Sequence, residues 1–364
     1  MSTDEQPGID ATSIEKELTV LWKEAEESEG SSPVVRACSL NLIVLEGDDP
    51  VATEILDLLS AEHPARTFLI STKQNHASKS IESWVAAKCS IPLPGEKQVC
   101  SEQIHLTAGL EGSERIPSVV TSLLVPDVPV VLWHRGTDAI PSELFQTLQE
   151  LSDFTILDSA TDADLDRSIS LLGSDDAQGF GDLAWERGQW WRTLLAQVFD
   201  PPSERQLLDH LTSVKIHYGG NQQQPRTGIS SAMLLAGWLC QALALHNERS
   251  FRREAGGTTT GDFTLHGKPV RLELTDERRS TTEGDAIHLL LLEFGKSSIA
   301  FSVNDSENCF HYVRRHDDGS EEERSIPRRK LSDAEMISRL LTVLTPDPAF
   351  LLSLKALGDL WERR

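Results

Sequence analysis

Positive charge is in short supply in this chain: 34 Lys and Arg stand against 57 Asp and Glu over 364 residues, a formal net charge of −23. A surface so acidic repels phosphate backbones and anionic lipid, so nucleic acid and membrane surfaces are excluded as partners. Cysteine is scarce as well. Cys38, Cys89, Cys100, Cys240 and Cys309 are odd in number, scattered and without a Cys-x-x-Cys pair, which argues against a disulfide framework and a zinc site. No apolar run approaches the roughly 20 residues that span a bilayer. The first residues carry no charged-then-apolar signal, so the expected location is cytoplasmic.

Catalytic signatures are missing too. There is no Gly-x-Gly-x-x-Gly after a strand, no Gly-x-x-x-x-Gly-Lys-Ser/Thr phosphate loop and no His-Glu-x-x-His. The run Gly228 to Ala232 matches a nucleophile elbow only loosely, because Ala232 replaces the second glycine and no strand precedes it. Ser230 therefore reads as a helix N-cap. No cofactor, no metal ligands and no catalytic residues are expected.

What is present is an ordinary globular composition, 39% hydrophobic and 25% charged, over a length that calls for two domains. The stretch Leu123 to Gly136 organises the first. Its apolar run from Val128 to Trp133 stops abruptly at His134, Arg135 and Gly136. Such a run suits a strand covered on both faces in a parallel sheet, with Pro129 at its start. Strands are also expected at Cys38 to Leu45, Thr67 to Ser71 and Phe154 to Asp158, with a hairpin over Trp84 to Ile91 and Val99 to Ala108. In that hairpin Cys89 and Cys100 lie on paired strands and are able to approach each other. Helices are expected from Asp49-Pro50 to about Ser60, over Ile116 to Leu124, after Pro141 and over Asp162 to Leu172.

The fold class is thus an α/β N-terminal domain, an open and mostly parallel sheet with an antiparallel insert, followed by an α+β C-terminal domain with an antiparallel meander. The expected boundaries are residues 1–33 for a leader and amphipathic helix, 34–175 for the α/β domain and 182–364 for the α+β domain. The amphipathic helix carries Ile14, Leu18, Leu21, Trp22 and Ala25 on one face. In the second domain a helix over Asp182 to Asp200 and a buried helix over Ile229 to Leu245 precede the strands. Those strands are Phe263 to His266, Val270 to Thr275, Ile287 to Phe294, Ile299 to Val303 and Cys309 to Arg315. Ser332 and Asp347 each begin a closing helix.

Sites in open α/β sheets lie at the carboxyl ends of strands. On that ground His134, Arg135, Gly136, Asp158, Ser159 and Lys73 are candidates for partner or ligand binding. A basic pair at a strand end suits a phosphate or carboxylate. The bland alternatives are that Arg135 pairs within its own domain and that Asp158 and Ser159 cap the next helix. Trp190 and Arg192 join the candidates because tryptophan and arginine are enriched at interfaces, whereas Trp191 sits on the apolar face. Arg324, Arg328, Arg329 and Lys330 form a basic cluster that reads as a solvated strand end.

Several blocks together resemble one family. They are Leu124 to Gly136, Ile156 to Ala160, Asp182 to Arg187 with Trp191-Arg192 and Leu194 to Phe199, and Leu234 to Leu239, supported by Arg36 to Val44 and Cys100 to Ile104. The chain resembles the OpcA-type glucose-6-phosphate dehydrogenase assembly proteins. The resemblance implies a non-catalytic factor that binds glucose-6-phosphate dehydrogenase, the NADP-reducing first enzyme of the oxidative pentose phosphate pathway, and favours its active oligomer. The competing reading from the residues alone is an α/β enzyme or sensor that takes a sugar phosphate or nucleotide in the strand-end crevice.

Overall fold

The computed structural model describes residues 11–28, 34–46, 51–73, 81–90, 98–135, 142–160, 179–219, 228–254, 257–277, 287–304 and 306–360. The chain divides into two compact units. One comprises Met1–Asp158, Gly179–Gly181 and Ser332–Thr345; the other comprises Ser159–Gln178, Asp182–Leu331 and Pro346–Arg364.

The first unit is built on β1 (Val34–Arg36), β2 (Leu40–Glu46), β3 (Ala65–Lys73), β4 (Ile81–Ser90), β5 (Gln98–Gly109), β6 (Val130–His134), β7 (Phe154–Leu157) and β8 (Phe180–Asp182). The sheet order is β1-β5-β3-β2-β6-β7-β8, with β4 pairing β5 from outside. Every residue of β2 is buried, as befits a strand covered on both faces. β6 lies between β2 and β7, with Val131 opposite Leu42 on one side and Phe154 on the other. The run from β5 through β3, β2, β6 and β7 to β8 is the doubly wound order, in which the chain reverses direction across the sheet between β2 and β6.

β4 is the antiparallel strand of this sheet. It forms the expected antiparallel pair with β5, and β5 in addition pairs in parallel with β3 from Arg66/Glu102 to Lys73/Gly109, which joins the hairpin to the sheet. Cys89 and Cys100 are direct cross-strand partners, 4.0 Å apart at Cα, and form a disulfide.

Helix Ala11–Ser28 buries Ile14 and Leu18, while Leu21 and Trp22 of the same stripe are half-buried. Beside it lies a buried charge network. Glu102 accepts from Arg66 Nε at 2.7 Å, from Arg36 Nη2 at 2.6 Å and from Trp22 Nε1 at 2.6 Å. Arg66 Nη1 also donates to Glu15 at 2.8 Å, tying the helix to β3. Helix Asp333–Val343 belongs to this unit and meets helix Thr53–Glu62, where His63 Nε2 lies 2.8 Å from the Ser338 hydroxyl. Thr53–Glu62 starts later than the Asp49-Pro50 signal predicts, with Ala52 as its cap residue. The expected helix Asp162 to Leu172 lies outside the described residues.

The second unit holds β9 (Ser213–Tyr218), β10 (His246–Arg253), β11 (Thr259–Leu265), β12 (Lys268–Asp276), β13 (Ile287–Phe294), β14 (Ser297–Asn304), β15 (Cys309–Arg315) and β16 (Glu321–Pro327). Their order is β10-β11-β12-β9-β13-β14-β15-β16. The sheet is mixed and mostly antiparallel. One feature departs from a simple meander: β9 inserts between β12, to which it is parallel, and β13, to which it is antiparallel. Helix Ile229–Ala242 is buried nearly all round, as its composition requires. It meets helix Pro348–Leu360 at Gly237, where a Cβ would come within 2.7 Å of the Ser353 carbonyl. Its cap residue is Gly228 and not Ser230, whose hydroxyl donates instead to the Ser159 carbonyl at 2.8 Å. The expected helix over Asp182 to Asp200 is broken at Gly188 into Leu183–Arg187 and Gln189–Val198.

Candidate functional site

The carboxyl ends of β2, β3, β6 and β7 share one edge of the parallel sheet, and four predicted residues of the first unit stand there. Lys73 is exposed at the end of β3, paired with Gly109. His134 ends β6 opposite Leu45, its ring tilted against Phe145 at 4.8 Å. Arg135 follows it; its backbone N–H donates to the Leu45 carbonyl at 3.3 Å and its guanidinium lies 5.8 Å from the Trp133 ring centroid. Asp158 follows the last residue of β7 and is half-buried. Gly136 lies outside the described residues.

Sequence reasoning missed the residue nearest the reversal point. Glu46, the last residue of β2, is only 6% exposed. Its carboxylate accepts from the Val51 backbone N–H and from the Ser71 hydroxyl, each at 2.9 Å. In a dinucleotide-binding sheet the turn after this strand is glycine-rich and its backbone N–H groups face the pyrophosphate. Here β2 ends on a buried carboxylate that already accepts the Val51 N–H, and the sequence between them, Gly47-Asp48-Asp49-Pro50, carries two further acids and a single glycine. The missing glycine pattern and the acids are visible in the sequence; the burial of Glu46 and its place in the strand order are not.

The other three predicted residues belong to the second unit. Ser159 is buried; its hydroxyl donates to Asp182 Oδ2 at 2.5 Å and its N–H to Oδ1 at 3.0 Å. Asp182 also caps helix Leu183–Arg187 by accepting from the Ala184 N–H. Arg192 stacks over the Trp185 ring at 3.4 Å and donates to the Trp185 carbonyl at 2.9 Å. Trp190 is half-buried, and its indole N–H is enclosed without a hydrogen-bond partner. Of the basic cluster, Arg324 pairs with Glu322, while Arg328 is buried with its guanidinium 5.8 Å from the Phe310 ring centroid rather than solvated.

Two further groups escaped the sequence. In the first unit Trp84 is 55% exposed on β4, at the sheet's outer edge, and stacks on its cross-strand partner His105. Burial, with Lys88 adding, pushes the His105 imidazole down to about 4, so it is neutral at physiological pH. In the second unit His217, Glu277 and His288 converge.

A doubly wound, mostly parallel sheet whose strand β2 ends on a buried carboxylate, followed in the chain by a mixed and mostly antiparallel sheet, defines the class by fold alone. Residues 57–173 match the glucose-6-phosphate dehydrogenase subunit N-terminal domain, and residues 178–354 match the C-terminal domain of the same subunit. The chain belongs to this OpcA glucose-6-phosphate dehydrogenase assembly family. A Synechocystis sp. relative named as an OxPP cycle protein, OpcA, is 28% identical over 195 residues, 52% of this chain and 39% of that protein. A Nostoc punctiforme protein of the same name is 26% identical over 252 residues, 67% of this chain and 50% of that one. The matched chain thus spans half or less of these relatives' lengths.

Among solved structures, a 3-ketoreductase from Actinomadura kijaniata superposes with a TM-score of 0.49 at 9% identity, covering 88% of this chain and 95% of that one. Levoglucosan dehydrogenase gives a TM-score of 0.46 at 11% identity, covering 89% and 95%. At this level the likeness carries no argument about activity. No single helix among the described residues is long and apolar enough to cross a membrane.

Proposed function

We propose that this chain is a non-catalytic cytoplasmic assembly factor and allosteric activator that binds glucose-6-phosphate dehydrogenase and promotes its active oligomer, supporting NADPH production in the oxidative pentose phosphate pathway. The observation that carries this reading is the match to both domains of the family over residues 57–173 and 178–354. The buried Glu46 carboxylate supports it from chemistry, since a nicotinamide dinucleotide docked at the reversal point would bring its pyrophosphate against a fixed negative charge.

Activation by binding requires differential affinity for the active oligomer. Moving a population from about 1:99 to 99:1 takes roughly 10⁴-fold tighter binding to the active form. A stable contact would bury about 800 Å² on each partner. Arg135, His134 and Lys73 at the strand-end edge, and Trp84 on the outer strand, are the side chains of the first unit we assign to that contact. The second reading, an enzyme or sensor for a sugar phosphate or nucleotide, is favoured by the doubly wound strand order alone.

The test is an activity assay of the cognate dehydrogenase at a concentration where its inactive form dominates, with and without this chain. The chain is expected to raise NADPH formation and to produce none by itself from glucose 6-phosphate. Substrate-dependent NADPH formation by the chain alone would overturn the non-catalytic reading. An unchanged dehydrogenase rate would overturn the activator reading.

A further inference from the structure

Three strands of the second unit bring two imidazoles and a carboxylate to one point. His217 is the penultimate residue of β9, Glu277 directly follows β12, and His288 is the second residue of β13. His217 Nδ1 lies 2.6 Å from Glu277 Oε1, and His288 Nε2 lies 3.1 Å from Glu277 Oε2. All three ligand-capable atoms fall within 4.8 Å of one another.

The backbone builds this convergence rather than permitting it by chance. Along β9 the odd and even residues alternate faces, with Val214 and Ile216 fully buried and His217 on the opposite face, beside Lys215. Regular alternation on β13 would send His288 to the same side as the buried Leu290 and Leu292. The ladder to β9 slips between Ile287, opposite Tyr218, and Leu289, opposite His217, leaving His288 as the extra residue of a bulge. Bulges of this kind re-aim a side chain. The Glu277 backbone is fixed as well, its N–H donating to the Tyr218 carbonyl at 2.7 Å.

We propose that His217, Glu277 and His288 bind a divalent transition-metal ion of the zinc class. Two imidazoles and one carboxylate are the ligand types that zinc accepts, with bonds near 2.0–2.2 Å, and three protein ligands leave a position for water. Imidazole nitrogen selects zinc, copper, nickel or iron over magnesium and calcium, which prefer all-oxygen shells. Exposure is graded as such a site needs: His288 is 8% exposed, His217 21% and Glu277 42%, so the ion would enter from the carboxylate side. The set contains no sulfur, so the scattered cysteines have no bearing on it. A bound ion would clasp the ends of β9, β12 and β13, replacing two hydrogen bonds by three coordinate bonds.

The test uses the full chain, stripped with a chelator and titrated with Zn²⁺ by calorimetry, with Co²⁺ as a spectroscopic probe. One equivalent of Zn²⁺ is expected to bind, Co²⁺ should show visible ligand-field bands without thiolate charge-transfer absorption, and millimolar Mg²⁺ should not compete. His217→Gln and Glu277→Gln should each weaken binding on the order of 100-fold, at or beyond the upper end for loss of an outer-shell partner, with unchanged circular dichroism. His288→Gln touches a buried bulge; if that variant fails to fold, the more exposed Glu277→Gln decides. No stoichiometric Zn²⁺ binding, or binding that both Gln variants leave intact, would overturn the proposal and leave the three residues as a hydrogen-bonded trio.

Discussion

Glu102→Ala is expected to cost this protein more stability than any single exposed charge. Glu102 is 4% exposed and accepts from Arg66, Arg36 and Trp22. Burial works against the charge on Arg66, but Glu102 and then Glu15 outweigh it and hold the guanidinium above its ordinary pKa. Among the described residues, removing Glu102 leaves Arg66 buried with the half-exposed Glu15 and the Leu123 carbonyl. Breaking a buried pair in this way costs roughly 3–5 kcal/mol, a large part of the roughly 5–15 kcal/mol that holds a domain folded. Arg36→Ala removes a partner that is 51% exposed and should cost under about 1 kcal/mol. Replacing Arg66 and Glu102 together by methionine should recover most of the loss, because the penalty lies in the uncompensated charge. Urea denaturation of the four proteins measures these differences, and limited proteolysis reports whether helix Ala11–Ser28 is released first. A Glu102→Ala protein within about 1 kcal/mol of the parent would refute the reasoning.

Val131→Ala, in a strand covered on both faces, should lose roughly 1–3 kcal/mol in the same assay while leaving activation of the dehydrogenase intact at temperatures where it stays folded. Arg135→Ala should do the reverse: its contact with the Trp133 ring is worth about 0.5–1 kcal/mol, and a loss well above that would make it structural. Gly237→Ala should destabilise by about 1–3 kcal/mol, since the added Cβ meets the Ser353 backbone carbonyl at 2.7 Å; denaturation at unchanged slope measures it. His105 is pushed down to about 4, whereas an unfolded histidine titrates near 6.5. The unfolded chain therefore takes up the proton first, and this contribution is present above pH 6.5 and lost as pH falls through that window. His105→Phe should flatten that segment of the stability profile, and an unchanged slope would contradict the assignment.

How much of this was legible depended on how local each signal was. β2 and β6 were readable because uninterrupted apolar runs have few alternatives to a strand covered on both faces. β9 was overlooked although Ser213-Val-Lys-Ile-His-Tyr218 alternates polar and apolar and runs into Gly219-Gly220; what the sequence does not carry is its insertion between β12 and β13, a pairing of distant segments. The Cys89–Cys100 disulfide was anticipated as an approach of two hairpin positions, although the cysteine count across the chain argued against a disulfide framework. The strand-end edge was anticipated for Lys73, His134, Arg135 and Asp158, but Ser159 turned out to serve Asp182 inside the second unit. Glu46 was overlooked because its role depends on the strand order, and strand order is a property of pairings between distant segments. The His217, Glu277 and His288 trio depends further on a bulge, which shifts one residue across a sheet and leaves no trace in hydrophobic periodicity.

The most direct measurement is sedimentation velocity on the cognate dehydrogenase, this chain and their mixture, at equal concentrations and without substrate. A faster complex containing both proteins, with the dehydrogenase shifted to its larger oligomer, is the predicted result. If the mixture's profile is the sum of the two separate profiles across the concentration range where the dehydrogenase is activated, direct binding is contradicted.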